Sequence, residues 1–259
     1  MGGSQPFGCH MLLNGKIALV TGGAKGNGAA IARGLSSEGA IVVIADIDGE
    51  SAKRTQSEIQ MYGVTAYAFT LDVSSAEHCA SLATNVTERI GNIDILVNNA
   101  GIRPRHEFNS DQRDALWQRT MDINLNAIRT MTLAFLDSLR KTRGCVINIT
   151  SIAAFNASPL SIAYSTSKAA AQMLSKVLAL ELAGDGIRVN AIAPGVMETE
   201  MTKSSRDDPE RRERLLSRIP MARFGKPEEL VGAVVFLSSD MSTYVTGTVI
   251  NIDGGYLAT

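Results

Sequence analysis

Seven short apolar runs recur along the chain, separated by longer stretches whose apolar residues fall at helical spacing. Residues 17–23 form the first run and end in glycines. In residues 26–37 Ala29, Ile31, Ala32 and Leu35 follow a helical rhythm. Residues 41–48 predict a second strand and 49–61 a second helix. A third strand over 66–71 closes at Asp72, with a helix over roughly 75–90. Residues 93–101 read as a strand that stops at an Asn/Gly cluster. Residues 111–140 supply one or two helices, and 145–151 form a core strand. A long helix covers 161–182, a strand covers 187–195, and a helix with Pro227 in its first turn covers 227–238. Residues 248–255 are the last strand. Residues 197–218 are charged, rich in arginine and without a clean apolar stripe.

Short apolar strands alternating with helices of this length mark βαβ units and a parallel sheet. Right-handed crossovers make that an open, doubly wound sheet of about seven parallel strands with helices on both faces. The reading is α/β, with one domain over residues 14–259 and a flexible N-terminal tail over residues 1–13. No composition break, repeat or low-complexity segment interrupts it.

The composition is compatible with that fold and narrows the partners. Of 259 residues 45% are apolar and 20% charged, and the net charge is −1. No basic excess argues for nucleic acid. No apolar run is long enough for a membrane span, and the N-terminus lacks the charged and apolar regions of a secretory signal. Three widely spaced cysteines, Cys9, Cys79 and Cys145, point to a reducing, cytoplasmic setting without a disulfide framework. His10, His78 and His106 have no metal-ligand spacing, so no metal is expected.

Two stretches carry candidate chemistry. The first, Thr21-Gly22-Gly23-Ala24-Lys25-Gly26-Asn27-Gly28, joins strand to helix with the spacing G-x-x-x-G-x-G. Glycines there allow a tight turn and close approach, and the helix N-terminus presents free N–H groups to a pyrophosphate. Asp46, at the end of the second strand, can accept from both ribose hydroxyls and repels a 2′-phosphate, which favours NAD. Lys25 pulls toward NADP, and Asp46 is weighted above it because it stands where that phosphate would go.

The second stretch runs from Ser151 to Lys168. Tyr164 and Lys168, four residues apart, project from one helical face. A phenol is a poor acid–base group at neutral pH, and a lysine cation one turn away favours the phenolate. Ser151 can bring a hydroxyl to the same point, making a set for moving a proton on and off an alcohol or ketone oxygen. By itself the Tyr/Lys pair also fits a surface helix with a lysine lying over an aromatic.

Taken together, these motifs resemble the short-chain dehydrogenase/reductase family, from about Leu13 to the C-terminus. Thr21–Gly28 looks like its cofactor loop, and Asn98-Asn99-Ala100-Gly101 like its NNAG signature. Asn124, Ser151, Tyr164 and Lys168 match its catalytic residues, and Pro194-Gly195 with Thr199 matches its PGxxxT turn. The resemblance implies a Rossmann-like fold and an NAD-linked alcohol dehydrogenase or ketone reductase. Tyr164 would transfer the proton, Lys168 would assist it and bind the nicotinamide ribose, Ser151 would polarise the substrate oxygen, and Asn124 would fix a relay water. Gly22, Lys25, Gly26, Asn27 and Gly28 would hold the pyrophosphate end of the cofactor. Asp72 and Val73 would contact adenine, unless Asp72 only caps the next helix. Asn98 and Asn99 would steady the sheet edge and the second ribose, Ala100 and Gly101 would join the cofactor contacts, and Pro194, Gly195, Met197 and Thr199 would hold the carboxamide. Asn27 departs from the family, which usually has Ile or Leu there. Its side chain is read as tolerating a local turn rather than adding a polar contact.

The substrate is expected to be a small polar secondary alcohol or ketone: a sugar, polyol or hydroxy acid. Arg103, Arg105 and His106 hint at an anionic or polyhydroxylated molecule but also suit a solvated loop. Phe155 and Met201 would add an apolar wall. Residues 198–221 would form a lid whose interleaved acids and arginines pair internally. An NADP-dependent 3-oxoacyl carrier-protein reductase is the alternative, and a non-catalytic cofactor-binding regulator a more distant one. The resemblance also implies a homotetramer.

Overall fold

A computed structural model describes residues 11–259. Residues 1–10 of the expected tail, with Cys9 and His10, lie outside the described residues. Leu13, the last residue of that stretch, is buried and donates its N–H to the Glu38 carbonyl.

Seven parallel strands form one sheet: β1 Ile17–Thr21, β2 Ile41–Asp46, β3 Ala66–Thr70, β4 Ile95–Asn98, β5 Cys145–Ile149, β6 Arg188–Pro194 and β7 Val249–Ile252. Their order across the sheet is β3-β2-β1-β4-β5-β6-β7. The core follows from the two-residue period of a strand. Val42 and Ile44 of β2, with Ile95 and Val97 of β4, join the core on one face. Val43, Ala45 and Leu96 join the core on the other. Both faces are covered, so the strands read as unbroken apolar runs. Helices α1 (Gly26–Ser37), α2 (Gly49–Gln60) and α10 (Val231–Ser238) contribute to the first core. Helices α3 (Ala76–Arg89), α5 (Ala127–Ala134) and α7 (Ile162–Leu182) contribute to the second.

Sequence and structure differ most between β4 and β5. The one or two helices expected there are three: α4 (Arg113–Met121), α5, and α6 (Leu136–Thr142). A five-residue π-helical stretch, Asp122–Asn126, joins α4 to α5 and buries Asn124 completely. Such bulges replace an even ladder with one residue re-aimed, often at a functional site. The charged stretch 197–218 forms two short helices, α8 (Glu200–Asp207) and α9 (Pro209–Leu216), separated where Asp208 takes an extended conformation before Pro209. Pro227–Leu230 makes a 3₁₀ turn ahead of α10.

The strand order reverses between β1 and β4. In open α/β sheets the crevice at the carboxyl ends of such a pair is where ligands bind. Both sequence motifs converge there.

Candidate active site

The strand ends open on a cleft of about 770 Å³. Its floor is made where the glycine loop meets the turn after β4. Thr21, the last residue of β1, is buried, and its hydroxyl accepts the N–H groups of Asn99 at 3.0 Å and Ala100 at 3.1 Å. In return, Asn99 Nδ2 donates to the carbonyls of Thr21 at 3.0 Å and Gly22 at 2.9 Å. Two glycines are obligatory at this junction. Gly22 has φ +61°, and a Cβ on it would sit 2.9 Å from Ala100 Cα. A Cβ on Gly28 would fall 2.0 Å from the Gly22 carbonyl oxygen. The loop and the first turn of α1 are therefore held as bare backbone facing the cleft, a surface suited to a pyrophosphate.

Gly22, Lys25, Gly26, Asn27, Gly28, Asp46, Asp72, Val73, Ala100, Gly101, Pro194, Gly195, Met197 and Thr199 all line the cleft. Asp46 is fixed there, accepting from Ala24 N at 3.0 Å and Asp48 N at 2.9 Å. Lys25 is drawn aside into an ion pair with Asp48 at 2.7 Å. That pair, together with Ser51, holds the Asp48 carboxyl far below the ordinary carboxylate range. Asp72 closes the turn after β3. Its Oδ1 accepts from the hydroxyl and N–H of Ser74, which lower its pKa, whereas α3 is capped by Ser75. Across the cleft, a Cβ on Gly26 would lie 3.2 Å from Thr199 Cγ2, so the glycine loop and the Pro-Gly turn face each other closely.

Two expectations change at the cofactor end. Asn98 does not line the cleft. It is buried behind it, donating to Asn148 Oδ1 at 2.9 Å, while Asn148 donates to Ser175 at 2.8 Å. Its neighbour Asn99 holds the loop instead, because alternate residues of a strand face opposite ways. Asn27 lies in α1 without a positive φ, so no turn needs it. Its Oδ1 is buried at the cleft without a hydrogen-bond partner among the described residues.

Ser151, Tyr164 and Lys168 all line the same cleft. The helix α7 is not a surface helix with a snorkelling lysine. Its buried face runs Ala163, Tyr164, Ser167, Lys168, Ala171, Ser175 and Ala179. Lys168 is 4% exposed, and its Nζ donates to the Ile149 carbonyl at 2.7 Å. Burial pushes its ammonium down from 10.5 to about 8. The same Nζ lies 5.9 Å from the Tyr164 ring centroid, and Arg103 lies 5.3 Å from it. Both cations thus lie against the face of the phenol ring. Ser151 Oγ accepts from Ala153 N at 3.1 Å, which leaves its O–H to donate into the cleft. Asn124 accepts from Ile102 N at 2.8 Å and donates to Ile102 O at 2.9 Å and Ser167 Oγ at 3.1 Å. A Cβ on Gly101 would sit 3.3 Å from Asn124 Oδ1 and 3.5 Å from Lys168 Nζ, so these two groups meet beneath it.

Around the open end, Met201 and the segment from Asn156 to Leu160 line the cleft. Phe155 does not and is 45% exposed, and His106 turns to the Glu107 carbonyl at 2.9 Å. The lid matches its expected internal pairing only in part. It has the ion pairs Asp208–Arg211 at 3.3 Å and Glu200–Lys203 at 3.9 Å, while Arg211, Arg214 and Arg218 line the cleft. Sequence reasoning also missed the Ile149 carbonyl that holds Lys168, the Thr21 hub and the stacking of Arg103 on Tyr164. Thr21 could have been found as a polar residue at the buried end of a strand. The other two carry no sequence signal. Among the described residues, no group of His, Cys, Asp or Glu is placed to hold a metal, and no helix is long and apolar enough to cross a membrane.

Known proteins resemble the chain over nearly its whole length. A family model described as enoyl-(acyl carrier protein) reductase matches residues 22–257. The chain is 42% identical over 247 residues to 2-dehydro-3-deoxy-D-gluconate 5-dehydrogenase of Bacillus subtilis, covering 95% of this chain and 96% of that protein. It is 39% identical over 247 residues to the 3-oxoacyl-(acyl-carrier-protein) reductase FabG of Thermotoga maritima, covering 95% and 99%. The crystal structure of a gluconate 5-dehydrogenase from Burkholderia cenocepacia J2315, in complex with NADP and tartrate, superposes with a TM-score of 0.92 at 34% identity, covering 96% and 98%.

The lowered pKa of Lys168 has a signed consequence for stability. Between pH 8 and 10.5 the unfolded chain holds a proton that the folded protein has released. Stability therefore rises with pH across that window. Lys168→Met should remove this contribution. Urea midpoints at pH values spanning the window should climb more steeply in the wild type than in the variant, and identical slopes would contradict the assignment.

Proposed function

The chain belongs to the short-chain dehydrogenase/reductase family and is an NAD(P)-dependent oxidoreductase acting on CH–OH groups, and from that premise we propose that it moves a hydride between NAD and a small polar secondary alcohol or its ketone. The substrate class is a sugar, polyol or hydroxy acid. The observation that carries the reading is the buried lysine beside Tyr164, with the Ser151 hydroxyl free to donate into the same cleft.

The bound cofactor supplies a hydride acceptor or donor at C4 of its nicotinamide ring. The chain's own residues do the rest. In the oxidative direction the Tyr164 oxygen takes the proton from the alcohol while Ser151 steadies the substrate oxygen by donating to it. Lys168 and Arg103 place positive charge against the Tyr164 ring, beside the proton-transfer step. Asn124 is a positioning residue, clamping the loop after β4 to α7 beneath Gly101. Its Nδ2 donates twice, but its Oδ1 accepts only one hydrogen bond and keeps a lone pair with which Asn124 would fix a relay water near Lys168. Gly22, Gly26, Asn27 and Gly28 would hold the pyrophosphate, Asp46 the adenosine ribose, and Asp72 and Val73 the adenine. Ala100 and Gly101 would border the second ribose, with Tyr164 and Lys168 below it. Pro194, Gly195, Met197 and Thr199 would hold the carboxamide.

NAD is favoured over NADP because Asp46 is fixed at the end of β2 and Lys25 is already paired with Asp48. The second reading, an NADP-dependent 3-oxoacyl carrier-protein reductase, draws support from the Thermotoga relative's name. A homotetramer is supported by Met173, Val177 and Leu180, spaced along one exposed face of α7. A monomer in light scattering would contradict it.

Replacing Tyr164 by Phe should lower kcat by about 10²–10⁴ while leaving NAD binding nearly unchanged. Retention of more than about a tenth of wild-type kcat would remove Tyr164 from its role. The ratio of kcat/KM for NAD over NADP should exceed one, and Asp46→Ala should reduce it by about tenfold, roughly 1.4 kcal/mol. A wild-type preference for NADP would contradict the assignment of NAD.

A further inference from the structure

Besides Arg119 of α4, five arginines from two separate segments line the cleft. Arg103 and Arg105 come from the loop after β4, Arg211 and Arg214 from α9, and Arg218 from the turn after it. The acids that line the cleft are engaged elsewhere. Asp46 and Asp72 stand at the ends of β2 and β3 and accept backbone N–H groups, and Glu200 faces Lys203. Asp208 pairs with Arg211 alone. Arg218 is spent in part on the Tyr256 ring, 4.4 Å from its centroid.

Arg103, Arg105 and Arg214 have no acid partner among the described residues, and Arg211 stands near them with its charge only partly balanced by Asp208. Burial first, then Arg211, Arg103 and Arg214, push the Arg105 guanidinium below its ordinary range. The chain's net charge is −1, so this local excess is not a general property of the surface. The Nε of Arg103 is buried without a hydrogen-bond partner among the described residues. Like charges brought together around an unmet buried donor raise the energy of the empty site. A bound anion relieves both penalties at once. Guanidinium is also the group whose paired donors match a carboxylate.

We propose that Arg103, Arg105, Arg211 and Arg214 form a carboxylate-binding subsite, so that the substrate is a polyhydroxy acid rather than a neutral sugar or polyol. This rests on the oxidoreductase reading above. Arg103 stacks on Tyr164, so the carboxylate lies within a few bonds of the carbon that reacts. A phosphate on a carrier arm, many bonds from its carbonyl, does not meet that condition. Because α9 carries two of the four arginines, the anion bridges the lid to the loop after β4.

The test measures binding apart from turnover. Gluconate and glucitol differ only in carboxylate against CH₂OH, and tartrate and threitol differ in the same way at both ends. Calorimetric titration of each into the protein saturated with NAD should show the acid of at least one pair binding about tenfold or more tighter than its neutral partner at low salt. The advantage should shrink as ionic strength rises. Arg105→Gln with Arg214→Gln should bring the two partners close to equal, and Arg105→Lys with Arg214→Lys should keep much of the preference. Retained thermal melting of each variant excludes misfolding. Equal binding of acid and neutral partner by the wild type overturns the subsite. So does a preference that survives both glutamines, or binding by no member of either pair. Turnover separates the two readings. Oxidation of glucitol without any preference for acids leaves the oxidoreductase and removes the subsite. Charge-dependent binding of the acids without reduction of NAD, in a screen that also finds no oxidised alcohol, does the reverse.

Discussion

The hydrogen bonds that the Thr21 hydroxyl accepts from the turn after β4 set the geometry on which the site depends. They join the two strands at which the sheet changes direction, and Asn99 returns the connection by holding the Thr21 and Gly22 carbonyls. The glycine loop can then pass so close to Ala100 and to α1 that no side chain fits between. A cleft lined by bare N–H groups follows from that closeness. So does the position of Gly101, which carries the same turn on to Asn124 and Lys168. One short polar side chain at the end of a buried strand thus links the cofactor half of the site to the proton-handling half.

The second half is organised by a charge kept out of water. Lys168 is buried on α7 and tied to the end of β5 through the Ile149 carbonyl. A buried ammonium is costly and titrates lower than usual, and it is tolerated where it has a task. Here it stands beside the Tyr164 ring, opposite Arg103. The π-helical stretch serves the same end, because it buries Asn124 where its amide can span from Ile102 to Ser167. The arginines of α9 extend the positive field outward to the mouth of the cleft.

The fold was legible because its strands are buried on both faces and its helices are long. Runs such as Ile41–Asp46 and Cys145–Ile149 have no other reading when turn residues bound them. The residues of the glycine loop and of Ser151–Lys168 were legible by spacing, and the structure brings them into one cleft. Where reading failed, the deciding partner was distant in sequence or was backbone. Nothing local shows that Asn98 turns to Asn148 while Asn99 turns to the loop. A mid-helix π stretch has no compositional mark. The lid's arginines looked paired because acids sit between them, but only the helical phase decides which side chains face inward, and α8 and α9 break phase at Asp208–Pro209.

The central claim is that this cleft passes a hydride directly between a carbinol carbon and a nicotinamide while its own residues handle the proton. It is tested most directly by oxidising a secondary alcohol that carries deuterium on the carbinol carbon and weighing the reduced cofactor. The account predicts one deuterium per reduced cofactor, on a single face of the ring. Reduced cofactor without the label, or no reduction with any sugar, polyol or hydroxy acid, would contradict it.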